Sequence, residues 1–129
     1  MSDPSNPLDW ANYAEQDWET AKLLLKRAKP LTISVCFHAQ QSAEKYLKAL
    51  LVAKEVDFPK THDLSSLNVL CDQAGILTGF SPARLTILTD HAVASRYPGN
   101  EPTIEDAKES IEIANSIRKF ARSFLGLKK

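Results

Sequence analysis

Three groups of residues have types and spacings that could do chemistry. Gln41, Lys45 and Lys48 recur at intervals of four and three, so a helix sets them on one face, with Glu44 beside them. Two ammonium groups and an amide together could hold a phosphate or an RNA backbone. The same residues also suit a solvated helix face with a Glu44–Lys48 pair at i,i+4, worth about 0.3 kcal/mol. The second group is Lys60-Thr61-His62-Asp63. Thr61 or Asp63 can cap a helix, while His62 could carry a proton or sit exposed. The third is Arg84, His91, Arg96 and Tyr97. Arg84 and His91 are seven apart, on one helix face two turns from each other. Arg96-Tyr97-Pro98 falls where a helix must break, and could supply a bidentate phosphate contact with a stacking ring. Alternatively, Arg96 satisfies the last carbonyls of its helix.

Other chemistries find little support. The four glycines are not grouped as a phosphate-cradling loop requires. Cys36 and His38, two apart, diverge on a helix, and His62 and His91 fall in other segments, so no metal site is expected. Nothing resembles a nucleophile elbow.

The segments between turn signals have helical period. Asn6-Pro7-Leu8-Asp9 reads as an N-cap, a first-turn proline and a first-turn carboxylate. The stripe Ala11, Ala14, Trp18, Ala21, Leu25, Ala28 follows, and Pro30 ends it. A second helix over about 32–56 carries Cys36, Ala39, Ala43, Leu47 and Leu50, widened by Val35, Tyr46 and Leu51. So broad an apolar arc predicts a central helix, with Gln40, Gln41, Glu44, Lys45 and Lys48 as its polar remainder. A short third helix bears Leu64, Leu67, Leu70 and Cys71 and ends at Gly75. Ser81-Pro82 opens a fourth with Leu85, Leu88 and Ala92, and Thr103 to Asp106 resembles a capping box opening a fifth over about 103–125. No strand-like alternation or internal repeat is present. The expected fold is all-α, an antiparallel up-and-down bundle of about five helices in one domain over 1–129.

At 129 residues the chain suits one domain of ordinary size. Charged residues make up 25% and hydrophobic ones 43%, which excludes a disordered tail. The formal net charge is zero, which argues against broad coating of nucleic acid. The zero conceals blocks: −5 over 1–20, +5 over 21–60, −5 over 61–117 and +5 over 118–129. A local cationic site around Lys45, Lys48 and Arg96 remains compatible with that sum. Cys36 and Cys71 read as buried free thiols in a reducing compartment. The acidic start is unlike a signal peptide and the longest apolar run is Ala49 to Ala53, so a soluble cytoplasmic protein with no membrane association is expected.

As a set, the segments Phe37-His38-Ala39-Gln40-Gln41-Ser42-Ala43-Glu44-Lys45-Tyr46-Leu47-Lys48-Ala49-Leu50, Lys60-Thr61-His62-Asp63-Leu64 and Ser95-Arg96-Tyr97-Pro98 are specific. With Ala14, Asp17 and Ala21 ahead of them, the chain resembles the HEPN (higher eukaryotes and prokaryotes nucleotide-binding) domain over nearly its whole length. The resemblance implies a small antiparallel helical bundle, commonly dimeric. It also implies one of several tasks: pairing with a minimal nucleotidyltransferase, often as a toxin–antitoxin system; metal-independent ribonuclease action through an Arg-x(4–6)-His motif; nucleotide binding; or protein association alone.

Arg96 has no histidine after it, whereas Arg84 to His91 fits the ribonuclease spacing with six intervening residues. Leu85 stands where ribonuclease members usually carry a polar residue, and the hallmark here is Arg96-Tyr97-Pro98 instead. The favoured reading is therefore a homodimer binding nucleotide, RNA phosphate or a nucleotidyltransferase protein. The expected contacts are Gln41, Glu44, Lys45, Lys48, His62, Asp63, Arg96 and Tyr97, with no cofactor. In the ribonuclease alternative, His91 is the general acid/base and Arg84 or Arg96 stabilises the developing phosphorane charge. In a third reading the same residues form only a structural association surface.

Overall fold

The structure, a computed structural model, describes residues 2–94 and 97–128. Its elements are α1 (Pro7–Leu25), α2 (Thr32–Ala53), α3 (Leu64–Gln73), α4 (Pro82–Ala94) and α5 (Ile104–Phe124), arranged as the expected all-α bundle. The starts of α1, α3 and α5 follow the capping chemistry in the sequence, whereas α2 begins after Leu31 with no side-chain cap. Asn6 Oδ1 accepts from Leu8 N at 2.9 Å, with Pro7 in the first turn. Asp63 Oδ1 accepts from Ser65 N at 3.1 Å, so Asp63 rather than Thr61 caps α3. Thr103 and Asp106 form the reciprocal capping box, both bonds at 3.0 Å.

Two helix ends come earlier than the sequence suggests. α1 stops at Leu25, leaving Ala28 exposed outside it. Pro30 accounts for this, because its ring clashes with the Lys26 carbonyl position and pushes Lys29 towards extended backbone. α2 stops at Ala53, and Glu55 takes a left-handed φ of 57°. Glu55 N then bonds Val52 O at 3.0 Å and Val56 N bonds Leu51 O at 2.9 Å, a Schellman turn. The same turn closes α3, with Gly75 at φ 82° in the left-handed position.

α2 is central and packs against each of the other four helices. Tyr46, Leu47, Leu50 and Leu51 are fully buried against Leu64 and Leu67 of α3, Leu85 and Leu88 of α4, and Ile113 and Ile117 of α5. Each such leucine contributes about 2 kcal/mol of burial. Buried Ala11 and Ala14 share a core cluster with Ala39 and Ala43, and Ala21 one with Val35 and Cys36, so α1 and α2 lie close along their length.

A polar clamp fastens α1 to α2 and α5. Arg118 holds Glu15 with two bonds of 2.7 Å, Tyr46 Oη donates to Glu15 at 2.5 Å, and Arg122 reaches Tyr46 Oη at 3.2 Å. Burial raises the Glu15 carboxyl, but the bonds from Arg118 and Tyr46 outweigh it and leave its pKa below the ordinary value. The charge blocks are thus partly complementary helix faces: Glu15 and Asp17 of the first meet Arg118 of the last and Lys45 of the second. Among the described residues no helix is long and apolar enough to cross a membrane.

Candidate functional site

The polar face of α2 is not a solvated stripe. Gln40, Glu44 and Lys48 are all buried, while Gln41 and Lys45 are partly exposed. The Glu44–Lys48 pair forms at 3.0 Å, but inside the protein. The Lys48 ammonium also lies 5.8 Å from the Trp10 ring centre and 5.6 Å from that of Phe58. Lys48 is thereby committed to Glu44 and two rings. Its burial makes it a support for the site rather than a free cation.

The other oxygen of Glu44 holds His62. His62 Nδ1 lies 2.8 Å from Glu44 Oε1, with Glu44 only 4% exposed and the His62 side chain 80% exposed. A carboxylate only accepts, so Nδ1 carries the proton and Nε2 is left facing outward. The backbone of His62 is fixed too: Gln40 Nε2 donates to the His62 carbonyl at 3.1 Å, and Gln40 Oε1 accepts from Thr89 Oγ1 at 3.3 Å. One buried amide thus ties α2 to the α2–α3 link and to α4. Two side chains of α2 hold His62, one by its backbone and one by its ring.

Beside this histidine is a hollow of about 320 Å³ lined by Phe37, Gln40, Gln41, His62, Thr89 and Val93, among others. Phe37 and Val93 are large apolar side chains left 41% and 45% exposed at it. Gln41 and His62 supply polar groups at its wall. The arrangement offers hydrogen-bond donors and acceptors on a rigid frame beside apolar surface, a setting suited to a base or sugar with its phosphate.

The remaining candidates fall elsewhere. Lys45 turns to α1, where its ammonium meets Asp17 at 2.6 Å while His38 Nδ1 bonds the same carboxylate at 2.9 Å. Asp63 is occupied as a cap, accepting from Ser65 N at 3.1 Å and Ser66 Oγ at 2.7 Å. His91 Nε2 lies 3.0 Å from Glu109 Oε1 on α5. Arg84, two turns away, lines a different hollow with Phe80 and Ser116. Along the helix axis two turns separate the two residues by about 10 Å. Tyr97 is exposed just after α4. Arg96 lies outside the described residues.

Gln40 and Thr89 were not singled out as site residues by sequence reasoning. Gln40 looked like one more polar position on α2, and only the tertiary contact with α4 reveals its bracing role. Phe37 and Val93 carry a weak signal, as apolar residues off the buried stripes.

Residues 8–124 match the family model described as HEPN domain. The chain belongs to the HEPN family. One relative is a protein of Methanocaldococcus jannaschii named "Putative toxin MJ1304", 32% identical over 130 aligned positions that cover 87% of this chain and 83% of the relative. No solved structure matches the chain. The family match takes in all five helices bar the first residue of α1, and so includes the hollow and the residues that brace it. In this HEPN protein the brace comes from the central helix: Gln40 and Glu44 sit one turn apart on α2 and reach the same residue, His62.

Proposed function

We propose that this HEPN protein dimerises and binds the phosphate-bearing part of a nucleotide or of RNA in the hollow between α2 and α4. The observation that carries the reading is His62, its ring outward at the hollow and its Nδ1 anchored 2.8 Å from buried Glu44. Anchoring removes the entropy cost of ordering the ring when a ligand arrives. Gln41 contributes its amide and Phe37 a ring for stacking; Arg96, outside the described residues, is the proposed anion contact, and exposed Tyr97 a second ring. Glu44 and Lys48 act behind His62 as positioning residues. The exposed apolar residues Leu31, Ile33, Phe37 and Val93 support a second copy of the chain packing beside the hollow.

The name of the archaeal relative supports a toxin role in a toxin–antitoxin pair. The family resemblance then supplies the partner class, a minimal nucleotidyltransferase. Binding is favoured over ribonuclease action because the His91 ring is engaged by an α5 carboxylate while Arg84 lines a different hollow.

Calorimetric titration with ATP and with a short single-stranded RNA at low salt, where phosphate contacts are strongest, tests the reading. Saturable binding is expected, weakened roughly tenfold or more in Gln41→Ala and Arg96→Ala, with melting curves unchanged. No binding by the unmodified chain, or equal binding by both variants, overturns it.

A further inference from the structure

His91 was expected to stand apart from other metal-ligating groups, yet the packing of α4 on α5 brings it to two carboxylates. His91 Nε2 lies 3.0 Å from Glu109 Oε1 and 3.8 Å from Asp106 Oδ1, and all three atoms lie within 4.8 Å of one another. Zinc bonds of about 2.0–2.2 Å place neighbouring tetrahedral ligand atoms about 3.3–3.6 Å apart. The two separations fall on either side of that range, so small side-chain adjustments suffice. Asp106 is already oriented: its other oxygen accepts the Thr103 backbone N–H at 3.0 Å within the capping box. Such a fixed outer contact is how ligating carboxylates are commonly held.

The local charge also points to a cation. Glu15, Asp17 and Glu44 are each paired with a lysine or arginine. Among the described residues, Asp106 and Glu109 pair only with His91. Two carboxylates thus share one imidazole. Their partial exposure gives an ion a path in and leaves room for water at a fourth position.

We propose that His91 Nε2, Asp106 Oδ1 and Glu109 Oε1 bind a divalent transition-metal ion such as zinc or cobalt, joining the C-terminal half of α4 to the start of α5. One imidazole with two carboxylates suits ions of this borderline class. This site is independent of the hollow at His62.

The test is titration of the chelator-treated full chain with zinc by calorimetry, and with cobalt by visible absorption. One ion per chain is expected, with affinity falling at least about tenfold in both His91→Gln and Glu109→Gln and unchanged in His38→Gln and His62→Gln. Glu109 is half-exposed, so its variant reports on binding even if His91→Gln folds poorly. Absence of saturable binding overturns the proposal, as does binding that survives both substitutions or is lost with His62→Gln.

Discussion

At His62 the ring is exposed and its partner Glu44 is buried; at His91 the ring is sheltered, 21% exposed, and its partners Asp106 and Glu109 lie towards solvent. The two pairs use the same chemistry in opposite orientations. A buried carboxylate needs a cation, and Lys48 supplies it, so the negative charge stays inside while the imidazole edge is presented outward. At His91 the carboxylates face outward and the imidazole lies behind them, so the surface they present is negative. The first arrangement suits a polar ligand and the second a cation. Residue type alone, a histidine beside an acid, does not separate them; depth of burial does.

Substitutions can break or sharpen this contrast, and the largest effect belongs to the buried carboxylate. Glu44→Ala leaves Lys48 buried without its counter-charge and should cost about 3 kcal/mol in urea unfolding. A loss below about 1 kcal/mol would mean that Lys48 escapes to water and that the pair holds nothing in place. His62→Ala should barely change stability, because the ring is exposed, yet weaken nucleotide or RNA binding roughly tenfold, about 1.4 kcal/mol. His91→Ala should leave that binding unchanged, and equal losses in the two variants would erase the distinction.

Asp106→Ala removes a capping-box acceptor and should cost about 1 kcal/mol near neutral pH by thermal melting. The Thr103 backbone bond, with a further contribution from His91, holds the Asp106 carboxyl below its ordinary 3.8. Its stabilisation is therefore complete above that value and fades as pH falls through the lowered one. A stability difference between Asp106→Ala and the unmodified chain that persisted at strongly acidic pH would contradict this. Glu55→Gly, at the turn that begins the link to His62, should raise stability by about 0.5 kcal/mol, since glycine tolerates φ 57° and glutamate is strained there. A fall in stability would show that the Glu55 side chain contributes something its backbone strain conceals.

The starts of α1, α3 and α5 were legible because capping is local. Asn6-Pro7, Asp63 and Thr103 with Asp106 announce themselves within four residues, and each forms the predicted bond. The end of α2 was not legible, because its left-handed position is held by Glu55 rather than by the glycine that marks α3. The same limit applied to the site. Gln41, Glu44, Lys48 and His62 were recognised as candidates, but their depth was not. Trp10 from α1 and Phe58 from the link cover Lys48, and neither contact has a signature in the spacing of α2. The meeting of His91 with Asp106 and Glu109 likewise depends on how α4 and α5 align, which periodicity leaves open.

The chain has only three histidines, so their ring resonances can be followed individually as ligand is added. Nuclear magnetic resonance of the imidazole groups during titration with ATP or short RNA therefore tests the central claim most directly. Progressive, saturable shifts of the His62 ring are expected, while His38, paired with Asp17, and His91, paired with Glu109 of α5, stay in place. Shifts centred on His91, or an unmoved His62 at saturating ligand, would contradict that claim.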